Sequence, residues 1–197
     1  MSHRRVVYQL TDTHLFDPAV GGAFNGIDSN ASFCSVLGGA ACSGKPDLVV
    51  ISGDLSHDRS VGSYAFLSER INAVFGATVP CLVQAGNHDE ADTMSDFFPH
   101  RTCSMARYYQ LDNWLIYLLD SNGATEEAWI GHVSEPALDD LSAAATIEGV
   151  EHLVVFMHHN PVAVPHRNIE CSINNADALR PVNIISISPG FEFNTSI

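Results

Sequence analysis

Short apolar runs, each closing on polar or glycine-containing residues, recur along the chain. They are RVVYQL (5–10), DLVVIS (47–52), PCLVQA (80–85), WLIYLLD (114–120) and HLVVFM (152–157). All are rich in Val, Ile and Leu with little alternation, which predicts strands covered on both faces. Between them the apolar residues fall at helical spacing. SVGSYAFLSERINAVF (60–75) places Leu67, Ile71, Val74 and Phe75 on one face, with Ser60 or Ser63 as N-cap. NASFCSVLGGAA (30–41) does the same with Phe33, Val36, Leu37 and Ala40, although Gly38 and Gly39 weaken the pattern. SEPALDDLSAAAT (134–146) opens with a Ser cap and an early Pro, a favourable helix start. RYYQLDNWLIYLL (107–119) reads as two strands around an Asp112-Asn113 turn.

Strand alternating with helix predicts an α/β layered fold, β-sheets flanked by helices. No repeat or linker divides residues 1–180, which read as one domain. Residues 181–197 (PVNIISISPGFEFNTSI) form an atypical tail, with one possible strand and no closing helix.

Composition narrows the chemistry. The 197 residues are 46% hydrophobic and 16% charged, the balance of a soluble globular domain. Nine basic against 23 acidic residues give a net charge of -14. That argues against a nucleic-acid surface, where clustered cations must neutralise phosphates. It also repels a small anionic substrate unless bound cations reverse the field locally. The five cysteines are odd in number and lack C-x-x-C spacing, which fits a reducing cytoplasm better than a disulfide framework. No apolar stretch reaches the ~20 residues of a membrane helix, and the first residues carry no signal-like run, so an untargeted cytoplasmic protein is expected.

The polar residues that close the strands are metal-type ligands. LTDTHLF supplies Asp12 and His14, ISGDLSHD supplies Asp54 and Asp58, QAGNHDEAD supplies Asn87, His88 and Asp89, and FMHHNP supplies His158 and His159. Carboxylate, amide oxygen and imidazole together suit borderline and hard divalent ions. In an extended segment Asp12 and His14 point the same way and chelate one ion together. A lone D-x-H is common, and Gly53-Asp54 or Gly86-Asn87 alone suit a turn. The order of four such motifs, each directly after an apolar strand at the edge where α/β sheets form sites, decides for a site. His3, His57, His100, His132, His152 and His166 read as ordinary surface or loop residues. Phe16, Phe24, Tyr64 and Phe98 read as packing residues rather than stacking platforms.

The set resembles the calcineurin-like metallophosphoesterase superfamily, which carries D-x-H, G-D, G-N-H-D/E, a strand-end His and a final G-H-x-H. Within it the chain is most similar to bacterial class III cyclic-nucleotide (cAMP) phosphodiesterases. GDLSHDRSVGSY resembles that subgroup's GDLS-x-D with a following Ser-Tyr, HHNPVAVP its HHPPVP, and NADAL (175–179) a stretch after the histidines. The likeness covers roughly residues 5 to 180. It implies two divalent ions of the Fe/Mn/Zn class, bound by Asp12 and His14, by a bridging Asp54, and by Asn87 with one of the histidine pair. His158 is favoured because it comes first off the strand, and His159 is the alternative, with substrate contact as its other role. A hydroxide shared by the ions then attacks phosphorus in line. His88, with Asn87 in contact with the phosphate, stabilises or protonates the leaving oxygen, and Asp89 holds its ring protonated. Asp58 is a helix cap or a partner behind the ligands. The substrate implied is a small phosphodiester such as cAMP, with no nucleic-acid or membrane partner and a possible homodimer.

Two departures stand out. Asn160 replaces the first Pro of HHPP, and no histidine follows His166, so G-H-x-H is absent. The expectation is a chain shortened or altered before that motif, lacking the end of its second sheet. Its alternative function is that of an impaired phosphoesterase that binds metal or phosphate weakly.

Overall fold

The computed structural model describes residues 4–123, 129–161, 172–179 and 192–195. The chain packs as two compact units, residues 1–105 with 188–197, and residues 106–187.

The first unit is built on a parallel sheet. Its strands are β1 (Val6–Leu10), β2 (Leu48–Ser52), β3 (Cys81–Gln84), β4 (Cys103–Ser104) and β8 (Glu192–Thr195), in the order β4-β3-β2-β1-β8. Three helices accompany them: α1 (Ser29–Ser43), α2 (Val61–Phe75) and α3 (Ala91–Phe97). Every residue of β2 and β3 is buried, as their unbroken apolar runs predict. Leu10 pairs with Ile51, and Ser52 with Gln84, so the loops after β1, β2 and β3 leave the sheet side by side.

Local chemistry sets the helix limits. Asp28 caps α1 by accepting from the Ala31 N–H, and Ser60 caps α2 by accepting from the Ser63 N–H at 3.0 Å. Phe33 and Leu37 of α1, with Leu67, Ile71 and Phe75 of α2, pack against Tyr8, Leu10, Val49, Ile51 and Val83. Burial of each such side chain contributes about 1.5–3 kcal/mol. Val74 departs from its expected place and is 36% exposed. Each i to i+4 step along Leu67, Ile71 and Phe75 advances about 40° past a full turn, which carries the buried stripe away from Val74. Neither α3 nor β4 was expected, because seven and two residues are too short to display a period.

The second unit holds β5 (Tyr108–Leu111), β6 (Trp114–Leu118) and β7 (His152–Phe156), in the order β5-β6-β7, with α4 (Glu135–Ala144). β5 and β6 form the expected antiparallel hairpin, with Asp112 at φ 56° in its turn. β7 pairs with β6 in parallel. Only Phe156 of β7 is fully buried, contrary to the two-sided burial predicted for it. β7 lies at an edge of the sheet among the described residues. α4 starts as expected, with Ser134 accepting from the Ala137 N–H and Pro136 in the first turn. Leu115, Tyr117, Leu119, Val133 and Leu141 form this unit's core.

Cys34, Cys42, Cys81 and Cys103 are free thiols. The strand expected within 181–197 falls outside the described residues apart from 192–195, which lie beside β1. No helix among the described residues is long and apolar enough to cross a membrane.

Candidate metal centre

The loops after β1 and β2 run alongside each other as an extension of the sheet. Asp12 N–H donates to the Gly53 carbonyl at 3.0 Å, His14 N–H to Asp54 O at 2.9 Å, and Leu15 N–H to Leu55 O at 2.9 Å. Asp12, His14 and Asp54 hold φ of 52°, 43° and 51°, in the left-handed region that non-glycine residues rarely adopt. Such conformations cost free energy and persist where surrounding structure enforces them, most often at functional sites. The extended geometry expected for Asp-x-His is therefore corrected. Asp12 and His14 converge because the chain coils left-handed at each of them.

The outcome is a compact donor set. One ligand atom from each of Asp12, His14 and Asp54 lies within 4.8 Å of the others. His14 Nε2 stands 3.5 Å from Asp54 Oδ2, and the two residues are 6% and 3% exposed. Burial holds the His14 imidazole below the ordinary histidine value, against the opposing pull of Asp54. A neutral imidazole is the form that ligates a cation. Two carboxylates and an imidazole, gathered where little water reaches His14 and Asp54, fit a borderline divalent cation well.

The third loop is fastened to the same carboxylate. His88 N–H donates to Asp54 Oδ1 at 2.9 Å. Gly86 permits this approach, since a methyl group there would overlap Asp54 Oδ1 and the Asp54 backbone nitrogen. Asn87 is half-buried in the turn between Gly86 and His88. The His88 carbonyl accepts from Arg59 Nε at 3.0 Å, which leaves the ring near His14 at 4.9 Å between centroids.

Asp89 is placed differently from expectation. Its Oδ2 accepts from the N–H groups of Leu55 and Gly86, and its Oδ1 accepts from Ser56 N–H and the Tyr64 hydroxyl. None of the four donors is the His88 ring; they come from the β2 and β3 loops and from α2, so Asp89 ties those loops to α2 and is a positioning residue. Burial pushes its carboxyl up, while the hydrogen bonds from Gly86, Leu55 and Ser56 pull it back. Asp58 also has a structural place. Its oxygens accept from Asp17 N–H at 2.7 Å and from Ser60 N–H and Ser56 Oγ at 3.1 Å. Partial burial would raise its carboxyl, but hydrogen bonding from Asp17, Ser60 and Ser63 holds it below the ordinary value.

His57, read from sequence as an ordinary loop residue, belongs to the site. Its ring lies 5.5 Å from His14 and 5.5 Å from His88, and its ligand atom falls within 4.8 Å of theirs. Phe24 stacks on His14 at 4.2 Å, and Phe16 lies 5.0 Å from His57. The signal for His57 was its position in GDLSHD, on the loop that Asp54 already assigns to the site.

His158 and His159 belong to the second unit. His159 is 3% exposed, and its Nδ1 shares a 2.9 Å hydrogen bond with Ser121 Oγ, which also accepts from His159 N–H at 3.2 Å. His158 is half-buried beside it, ring centroids 5.0 Å apart.

Sequence comparison agrees with the chemistry of the strand ends. A probable cyclic nucleotide phosphodiesterase of Colwellia psychrerythraea is 30% identical over 86% of this chain and 62% of its own length. Two proteins named 3',5'-cyclic adenosine monophosphate phosphodiesterase CpdA are each 32% identical. That of Pseudomonas aeruginosa covers 81% of this chain and 56% of its own length. That of Escherichia coli K12 covers 79% and 55%. The chain thus spans less than two thirds of the length of these curated relatives. Its match to the calcineurin-like phosphoesterase family runs over residues 5–184, through all three loops of the centre, and the chain belongs to that family.

Proposed function

We propose that this protein is a metal-dependent phosphodiester hydrolase acting on a 3',5'-cyclic nucleotide. The observation that carries the reading is the convergence of Asp12, His14 and Asp54 within 4.8 Å at the ends of adjacent strands. Family membership implies divalent ions. Asp12, His14 and Asp54 would hold them, with Asp54 shared between two ions of the Fe/Mn/Zn class and Asn87 supplying an amide oxygen. Divalent ions at such a centre acidify water and offset phosphoryl charge. Here they would also overcome the repulsion between a chain of net charge -14 and an anionic substrate.

The protein's own groups do the rest. Asp54 accepts from the His88 backbone N–H and Arg59 donates to the His88 carbonyl, which supports a role for a held His88 beside His14. In this reading His88 serves as the proton donor to the leaving oxygen. Asp89 keeps the three loops in register. Phe24 packs on the His14 ring and Phe16 beside the His57 ring.

The cyclic-nucleotide substrate rests on the names of the relatives. The family likeness also gives His158 a ligand role, tested by the metal content of His158→Ala, and His159 a role in substrate contact. Two ions per chain, a cytoplasmic setting and a homodimer belong to the same proposal. Metal stoichiometry, cell fractionation and sedimentation test them in turn. Phosphorus NMR of cAMP incubated with manganese-loaded protein tests the activity. Conversion to a nucleoside monophosphate supports it, and an unchanged cyclic diester contradicts it.

A further inference from the structure

Three imidazoles, from His14, His57 and His88, come together in the first unit, with their rings pairwise 4.9, 5.5 and 5.5 Å apart. One ligand atom of each lies within 4.8 Å of the other two. Nδ1 of His14 and Nδ1 of His57 are buried and have no hydrogen-bond partner. Buried imidazole nitrogens ordinarily find a partner, and two neighbouring ones without any are the mark of a position shaped for something else. Phe24 stacks on His14 and stands 4.8 Å from His57, and the Phe16 ring lies 5.0 Å from His57. Two of the three rings, those of His14 and His57, thus have apolar neighbours.

We infer that His57, His14 and His88 form an all-imidazole site for a borderline divalent cation of the nickel, zinc or cupric class. It is distinct in donor type from the Asp12–His14–Asp54 set and shares His14 with it. Nitrogen-only donors favour late first-row metals, whereas magnesium and calcium seek oxygen. Zinc–nitrogen bonds of about 2.0–2.1 Å place tetrahedral ligand atoms about 3.4 Å apart, so ring movements on the order of 1 Å close the set. Under the proposed mechanism, occupancy takes His88 out of its role at the leaving oxygen. A neutral imidazole ligates one ion, so occupancy also withdraws His14 from the Asp12–His14–Asp54 set, and the cation inhibits in competition with manganese. This last consequence rests on the proposed function; the binding site does not.

The test measures binding rather than turnover. Metal-free protein is titrated with nickel(II) by calorimetry, and the nickel-loaded protein is examined by X-ray absorption to count imidazole ligands. Wild type should show three imidazoles. His57→Gln should show two and bind nickel at least about tenfold more weakly, the loss that an outer-shell partner alone can cause. Asp12→Asn should keep the three-imidazole count. Circular dichroism of the metal-free variants establishes that they are folded, and His57→Ala serves if the Gln variant is not. Fewer than three imidazoles in wild type, or nickel affinity unchanged in both His57 variants, overturns the site. Absence of phosphodiesterase activity with three imidazoles retained would count against the proposed function and leave the site standing.

Discussion

The backbone N–H of His88 donates to Asp54 Oδ1 at 2.9 Å, which fastens the loop after β3 to the carboxylate that ends β2. Under the proposed function Asp54 has two duties, to organise the loop and to carry charge toward the metal, and substitutions separate them. Asp54→Asn keeps an oxygen for the His88 N–H and removes the charge. Asp54→Ala removes both. Each should abolish manganese binding, measured by elemental analysis after dialysis. Only the Ala variant should lose about 1–3 kcal/mol in chemical denaturation of the metal-free protein. Equal stability of the two variants would separate Asp54 from loop anchoring.

Gly86 is required by the approach of Asp54 and not only by the turn it sits in. A methyl group at this position meets Asp54 backbone as well as side chain, so neither neighbour can yield alone. Gly86→Ala should destabilise the protein by about 1–3 kcal/mol, as overpacking does, and weaken metal binding together with it. Metal content and unfolding midpoint check this, and a silent substitution contradicts it.

Tyr64 links Asp89 to α2, donating to Asp89 Oδ1 at 3.2 Å and accepting from Glu90 N–H at 3.1 Å. Burial, reinforced by the neighbouring Asp89 charge, raises its hydroxyl well above the ordinary tyrosine value. The unfolded chain ionises Tyr64 first, near pH ~10, so this contribution to stability is full below that pH. It is lost progressively as pH rises toward the folded value. Tyr64→Phe should cost about 1–3 kcal/mol at neutral pH, and the gap to wild type should narrow above about pH 10. A gap in melting temperature that stays constant from about pH 8 to about pH 11 contradicts this assignment.

In the second unit, Ser121 Oγ engages both Nδ1 and the backbone N–H of His159. Ser121→Ala removes both bonds from a residue that is 3% exposed. The expected loss is about 1–3 kcal/mol in urea unfolding, with a shift of the His159 nitrogen signals in NMR. An unchanged His159 spectrum would show that Ser121 does not orient the ring.

β1, β2, β3, β6 and β7 were legible as unbroken apolar runs, α1 and α2 as apolar residues at helical spacing, α4 by its Ser134 cap and early Pro, and the hairpin as two runs around Asp112. The ligand motifs were legible for a related reason, as polar residues interrupting apolar runs at one strand edge. The backbone at Asp12, His14 and Asp54 was not. Left-handed φ at these positions is imposed by pairing between the β1 and β2 loops, far apart in sequence. The bonding of Asp89 is hidden in the sequence for the same cause, since its partners Leu55, Ser56 and Tyr64 lie 34, 33 and 25 residues away. His57 stands outside the D-x-H and G-N-H-D motifs, and its sequence position alone does not distinguish it from a loop histidine. Only the folded loops bring its ring beside theirs.

The most direct test of the centre is hydrolysis of bis-p-nitrophenyl phosphate by metal-free protein as manganese is titrated in, run beside Asp54→Ala. Release of nitrophenolate that rises and saturates with manganese, and is absent in the Asp54 variant, is the expected result. No release at any manganese concentration, or equal release by the Asp54→Ala protein, would contradict a phosphodiesterase centre built on Asp12, His14 and Asp54.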